Sequence, residues 1–448
     1  MQLNSSYVSA PDVGSDITDL LQAAIDTVHA SGGGQVIVPQ GRWVSRAIRL
    51  KSRVDLHLPN GCELACSQDY DDFADGTVAV IAEDSDRAFI VARDADTISI
   101  SGSGTIHGGG SVWCARPGLY EGTLWPKQKR PRMVVFENCT NVSLSGVTFR
   151  EAPMWTVHLV ACRHVRIDSL NILNDMSMPN TDGINLDSCS DAMIRNTTIE
   201  AADDAICVKT CRKEDDSLNA PAERILVSNC ILSSRSCALK IGTETYQDIR
   251  DVVFTSCTIT RTNRAFGIFS RDGGTIERIR FSNCVVHCQQ TPDGFWGSGE
   301  PVTINALPRR PGEVPGKVRD IAAEGITGRV EGAINIVGCP DQPIENVLLA
   351  NIQLALEEGS RPEALYLDLR PTAADVNGLD SPEEGRRNAW VRRPDGGIEG
   401  LLAYPYGFPG VWIEEATVVS CSGVQISRPD PLPETWSAQT IVRACEAT

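Results

Sequence analysis

Two short acidic motifs have residue types and spacing that could do chemistry together. Asn180-Thr181-Asp182-Gly183 and Ala202-Asp203-Asp204-Ala205 place Asp182 and Asp203 twenty-one positions apart. If the chain coils with a repeat near that length, Asp182, Asp203 and Asp204 become neighbours on adjacent turns. Carboxylates held side by side suit general acid/base work at an acetal: one donates a proton to the leaving oxygen, another takes one from water. Mutual repulsion raises the pKa of one member and keeps it protonated for the acid role. Either motif alone reads as a polar turn, because Asn, Asp and Gly dominate turns. Their pairing at one-coil spacing inside a repeat is what points to a site.

Other residues fall around this pair at coil spacing. Asn180 is placed to orient Asp182. Lys209 follows Asp204 by five positions on what should be the same strand, where it either binds substrate or balances the acids. His158, in Met-Trp-Thr-Val-His-Leu, lies one coil earlier and is read as reaching the sugar, although a lone histidine is commonly structural. Glu244, in Gly-Thr-Glu-Thr, lies one coil later as an extra substrate ligand. Trp296, with Phe295, sits in a loop, where aromatic faces stack on sugar rings or simply pack.

The elements that must position these residues are short strands. Residues 15–31 carry Leu20, Leu21, Ala24, Ile25 and Val28 at helical spacing, with Ser15 as N-cap and Gly32-Gly33-Gly34 as terminator. Beyond them, runs of four to six residues with turn residues between them continue to about residue 355. Phrases such as NVSLSGVTF (141–149), HVRIDSLNI (164–172), DAMIRNTTI (191–199), RILVSNCIL (224–232), DVVFTSCTI (251–259) and RIRFSNCVV (278–286) recur. The starts are separated by 23, 27, 33, 27 and 27 residues, with no intervening helix. That self-similarity predicts a right-handed parallel β-helix, an all-β solenoid of about ten coils with the N-terminal helix as its cap. A β-sandwich would show closer hairpins and no recurring phrase. Cys139, Cys162 and Cys189 precede their phrases by equivalent offsets, and Cys230, Cys257 and Cys284 occupy the seventh position of theirs, so both sets should stack as ladders. Residues 287–316 and 356–397 break the period and read as long loops forming a binding wall. Residues 410–426 read as a last coil. The expected organisation is a single β-helix domain over 1–448: cap and first coils in 1–75, central coils in 76–355, long loop and last coil in 356–448.

Bulk properties narrow the partners. A net charge of −17 argues against nucleic acid and anionic membranes, and no run of eighteen apolar residues offers a membrane span. Six scattered histidines and no paired Cys-x-x-Cys motifs predict no metal site, and no cofactor is expected. The N-terminus shows no basic and apolar leader. The sixteen cysteines are accordingly read mostly as reduced, buried small hydrophobes, with the protein expected in the cytoplasm unless a leader has been trimmed.

Several phrases are specific as a set: GGGQVIVPQGRW, LKSRVDLHLPNGCEL, GGGSVW (108–113), RPRMVVFENC (130–139), APMWTVHLVAC (152–162), and the pair NTDG and DDAICVK. On them the chain resembles the polygalacturonase family, glycoside hydrolase family 28, over roughly 12–355 and again near 404–426. The resemblance implies an inverting hydrolase with Asp203 as general acid and Asp182 and Asp204 activating water, the carboxyls roughly 6.5–9.5 Å apart. Two motifs depart from the family pattern. Arg235-Ser236-Cys237 stands in place of Gly-His-Gly, and Gly267-Ile268-Phe269 in place of Arg-Ile-Lys, whose basic groups bind a uronate carboxylate. Loss of such a cation should cost several kcal/mol of binding, order of magnitude. The substrate is therefore expected to be a neutral or differently substituted sugar, or a uronate read by Lys209, Lys240 or Arg271. The expectation is exo-hydrolysis of a pectin-type or related oligosaccharide. The alternatives are a β-helix lyase, which needs a basic residue beside a uronate and usually calcium, and a non-catalytic carbohydrate-binding β-helix.

Overall fold

The computed structural model describes residues 5–9, 12–82, 85–120, 123–291, 296–309, 312–359, 361, 365–370, 394 and 397–444. Its repeating unit is a coil of three short strands, such as Ile184–Asp187, Ser190–Arg195 and Thr198–Ala201. The next coil lays Ile206–Thr210, Ala222–Ser228 and Ile231–Ser234 on them in parallel. Repeated along the chain, this makes the right-handed parallel β-helix that the recurring phrases predict. One face is a continuous parallel ladder of twelve strands from Ile48–Arg49 to Ile441–Arg443, with Thr77–Ala82 paired antiparallel beside it.

The recurring phrase is explained by the bends. Between the first and second strands of a coil a single residue turns left-handed, as at Ser188 (φ 56°); between the second and third, Asn196 does so (φ 53°). Short polar residues tolerate this conformation because their side chains bond locally. The residue after the bend points inward. Cys139, Cys162 and Cys189 follow Asn138, Ala161 and Ser188; Cys230, Cys257 and Cys284 follow Asn229, Ser256 and Asn283. The register stacks each trio, and all six thiols are buried.

Alternate residues of each strand fill the interior. Val157, Ile184, Ile206, Leu239, Phe266 and Val302 form one inward column; Leu159, Leu186, Val208, Ile241, Ile268 and Ile304 form the next. Phe266 stacks on Phe281 with centroids 4.9 Å apart. Each such side chain contributes about 1.5–3 kcal/mol by leaving water. This core makes the sheet a rigid plate for the residues that alternate outward.

The cap differs in detail from its sequence reading. The helix spans Thr18–Ala30 and buries Leu21, Ile25 and Val28. Ser15 does not cap it, because its hydroxyl donates to the Asp12 carbonyl. Asp16 instead takes the Thr18 amide at 2.8 Å, an ionised acceptor where the helix dipole favours one. The stretch 287–316 is not all loop either, since Val302–Ala306 is a strand of the site face. Its Val-Thr-Ile-Asn-Ala alternation is a strand signal outweighed in sequence by the Pro and Gly around it. Within 356–397, Tyr366–Asp368 pairs antiparallel with Leu401–Ala403, and residues 371–393 lie outside the described residues. The coil at 410–426 is followed by one more rung, Ile441–Arg443.

Candidate active site

The acidic motifs are brought together by strand register. Ile184 pairs with Ile206, and the Gly183 amide donates to the Asp204 carbonyl at 2.9 Å. Asp182 therefore lies over Asp204 on the next coil, with Asp203 beside it. Both motifs sit in the turns that enter the site strands, where side chains splay out of the ladder. All three carboxyls are nearly enclosed: Asp203 is 7% exposed, Asp182 and Asp204 2%.

Their hydrogen bonds differ. Asp204 is clamped, with Oδ1 accepting from the Ser236 hydroxyl at 2.8 Å and Oδ2 from the Lys240 ammonium at 2.6 Å. The Trp296 indole N–H donates to the same Ser236 oxygen at 2.9 Å, so a chain runs from Trp296 through Ser236 to Asp204. Asp182 accepts at Oδ2 from the Asn185 amide at 3.1 Å, while its Oδ1 is buried without a protein partner among the described residues. The Asp203 Oδ1 accepts the Asp204 amide at 3.0 Å. Burial and then the charges of Asp203 and Asp204 push the Asp182 carboxyl well above its ordinary range. Burial and Asp203 also raise Asp204, against the pull of Lys240. Both shifts run toward the protonated form, opposite to that of an ion-paired aspartate.

A second ion pair borders the trio. Lys209 Nζ lies 3.2 Å from Glu244 Oε2 and 4.1 Å from the centre of the Trp155 ring. Although burial opposes it, the Lys209 pKa is raised well above the ordinary value, with Glu244 the main cause. Glu244 is held down to about 2 against its burial by Lys209, then Arg309 and Lys240. Its side chain remains 29% exposed, the most open acid of the group.

Of the residues singled out by sequence, Asp182, Asp203, Asp204, Lys209, Lys240 and Glu244 converge here. Asn180 does not orient Asp182: it adopts φ 56° and its Oδ1 accepts from Arg130 at 2.8 Å, so it fixes the turn. His158 does not reach the surface. Its Nδ1 accepts from Arg132 at 2.7 Å, its Nε2 faces Asp187 at 3.3 Å, and the Trp155 edge covers the ring. Arg271 is buried as well, donating to Asn305 Oδ1, the Ser270 carbonyl and the Leu369 carbonyl, which ties down the 365–370 segment instead of presenting a cation. Trp296 is 6% exposed and serves as a hydrogen-bond donor, not a stacking face; Phe295 lies outside the described residues. Sequence reading missed Asn185 and Ser236. Asn185 follows inward-facing Ile184 by one position, so strand alternation could have found it. Ser236 lay inside a triplet read only as a loss.

The family model described as glycosyl hydrolases family 28 matches residues 65–364. A probable polygalacturonase of Vitis vinifera is 26% identical over 371 residues, covering 79% of this chain and 72% of its own. Among solved structures, an exopolygalacturonase from Thermotoga maritima superposes with TM-score 0.67 at 23% identity, covering 82% of this chain and 89% of its own. A family 28 exopolygalacturonase of Yersinia enterocolitica also gives 0.67, at 16% identity, over 99% of this chain and 78% of that one. This chain belongs to glycosyl hydrolase family 28, and the protein is a glycosidase.

Proposed function

We propose that the protein hydrolyses a glycosidic bond of a pectin-type oligosaccharide by single displacement, releasing residues from a chain end. The observation that carries this reading is the buried trio of Asp182, Asp203 and Asp204, in which burial and mutual charge raise the Asp182 carboxyl and Asp182 Oδ1 has no protein partner among the described residues. In the reaction Asp203 donates its proton to the glycosidic oxygen as the bond to the anomeric carbon breaks. Water attacks that carbon from the opposite face and passes its proton to Asp182, with Asp204 holding the water. Turnover leaves the proton on Asp182; before the next one Asp182 gives that proton to solvent and Asp203 takes one up. The raised Asp182 carboxyl also supports a second reading, with Asp182 as the acid and Asp203 and Asp204 on water.

Two features favour chain-end action. Arg264 donates to the carbonyls of Asp368 (3.0 Å) and Arg370 (2.7 Å), and the Gly297 amide donates to Asp368 Oδ2 at 2.7 Å. The segments around 297 and 368 are thereby pinned over the coil that follows Glu244, a wall that would close one side of a groove. Both structural relatives named above are described as exopolygalacturonases. The two buried ladders of cysteine thiols suit a reducing compartment, and we place the protein there. Proton NMR of fresh product on a pectic oligosaccharide tests the chemistry: inverted anomer and single released residues are expected. A retained anomer would overturn single displacement, and a ladder of internal fragments would overturn chain-end action.

A further inference from the structure

The coil after Lys240 turns Gly267 and Phe269 to the same side of the ladder as Lys240, with Gly267 in register with Lys240 and the Phe269 ring buried beneath the surface. A Cβ on Gly267 would lie 2.5 Å from a Phe269 ring carbon and 3.1 Å from the Cys237 sulfur. The ring therefore occupies the space that any longer side chain at 267 would need. Three cations gather around that ring: Arg264 at 5.0 Å, Lys240 at 5.7 Å and Arg271 at 5.8 Å from its centre. Each is already engaged by the protein. Lys240 pairs with Asp204; Arg264 lies 3.3 Å from Asp368 and 3.4 Å from Glu300; Arg271 is held by Asn305 and two carbonyls. Lys209, the other lysine of the cluster among the described residues, pairs with Glu244.

The charge balance points the same way. Asp182, Asp203, Asp204 and Glu244 stand against Lys209 and Lys240, so with one proton on the trio three carboxylates face two ammoniums; Arg309, which also pulls on Glu244, is held by both oxygens of Asp272. A carboxylate on the bound sugar would have to displace a buried pair or meet like charge, and either weakens binding. Sugar hydroxyls meet no such barrier: they donate to carboxylates such as Glu244 and accept from the lysines. Resting on the hydrolase reading above, we infer that the glycosyl residue seated at this site is neutral, and that Phe269 is the residue that excludes a uronate from it.

A matched pair of probes tests this: an α-1,4-linked galacturonic acid trimer and the same trimer with each carboxyl reduced to a hydroxymethyl group. Binding to the parent protein is measured by calorimetry with the thioether-linked analogues of both trimers, which are not cleaved, and turnover of the oxygen-linked trimers as reducing-sugar release. The reduced trimer should bind at least about tenfold more tightly than the acid trimer. Rising salt should narrow the gap, because it screens the repulsion. Equal or tighter binding of the acid trimer, or binding of neither, overturns the inference. If the reduced trimer binds better yet neither is cleaved by the parent, the neutral site stands and the hydrolase reading fails. If the acid trimer binds better and is cleaved, the hydrolase reading stands and the neutral site fails. Phe269→Lys, checked for folding by circular dichroism, should recover about tenfold or more in affinity for the acid trimer; a folded variant with no gain removes Phe269 from the role.

Discussion

The outward face of the same few strands carries two buried polar clusters, built to opposite ends. One is the trio of Asp182, Asp203 and Asp204. The other begins at the far end of the Ile184–Asp187 strand, where Asp187 receives Lys213 at 2.5 Å and faces His158 at 3.3 Å, with Arg132 donating to His158 behind it. In the second cluster opposite charges and donors match. Despite burial, Lys213 and His158 hold the Asp187 carboxyl below its ordinary range, and burial pushes His158 down to about 4, where it stays neutral. In the first, carboxyls face one another and the shift runs upward. Equal burial goes with opposite shifts here: the satisfied cluster locks coils together, and the frustrated one carries the raised carboxyls that an acid/base site needs.

The largest effect that could break this contrast is catalytic. Asp203→Asn should lose about 10²–10⁴-fold in turnover on a poor leaving group and much less on an activated aryl glycoside, which needs no proton. Asp182→Asn should lose activity on both alike. If the activated substrate rescues Asp182→Asn instead, Asp182 is the acid and the second reading takes over. Next in size is the satisfied cluster. Lys213→Met leaves Asp187 buried without its cation and should cost about 3–5 kcal/mol in chemical denaturation. A cost near zero would remove the distinction drawn between the two clusters.

Ser236→Ala should have a smaller effect. It removes a hydrogen bond to an ionised Asp204 and cuts the link to Trp296, for an expected loss of about 1.5–3 kcal/mol in kcat/KM. The Asp204 carboxyl should rise further, so the acid limb of the pH–rate profile should move to higher pH. An unmoved limb would reduce Ser236 to packing. The finest test is the sign of the pH dependence of stability. Asp182 has its folded pKa raised, so its contribution is present below the ordinary carboxylate range and is lost as pH rises. Asp182→Asn should therefore gain melting temperature over the parent with increasing pH and lose the gain near pH 4 and below. His158 has its folded pKa depressed, so its contribution is full above about pH 6.5 and is lost as pH falls toward 4. His158→Gln should flatten the parent's decline over that window. Parallel slopes in the two variants would mean that both clusters titrate alike.

Much of this was legible before any coordinates. The repeat, the turn residues between its strands, the cysteine columns and the meeting of NTDG with DDA all follow from local sequence. Period-2 alternation and small polar bends dictate a coil, and coil length dictates which residues stack. Glu244 was found by the same rule, Lys209 by its place on the strand that follows Asp204, and Lys240 only as a stand-in for the missing uronate cation. His158, Asn180, Arg271 and Trp296 were misplaced because stacking tells which face a side chain leaves from, not which partner it meets. His158 leaves from the site face yet is claimed by Arg132 and Asp187. Arg271 is drawn under a segment nearly a hundred positions away, at Leu369. Ser236 looked like a missing motif until Trp296, sixty residues on, arrived to donate to it.

The β-helix, the family and the three aspartates are written into the sequence, because they depend on periodic local preferences that each coil repeats. Which charges are spent and which remain is set by long-range pairing in the fold. That outcome depends on contacts between loops and coils far apart in the chain: Lys240 on Asp204, Lys209 on Glu244, Arg264 on Glu300 and Asp368, and Phe269 laid across Gly267. In a buried site a cation acts on a ligand only if no protein carboxylate has claimed it first, and that is a property of three-dimensional pairing.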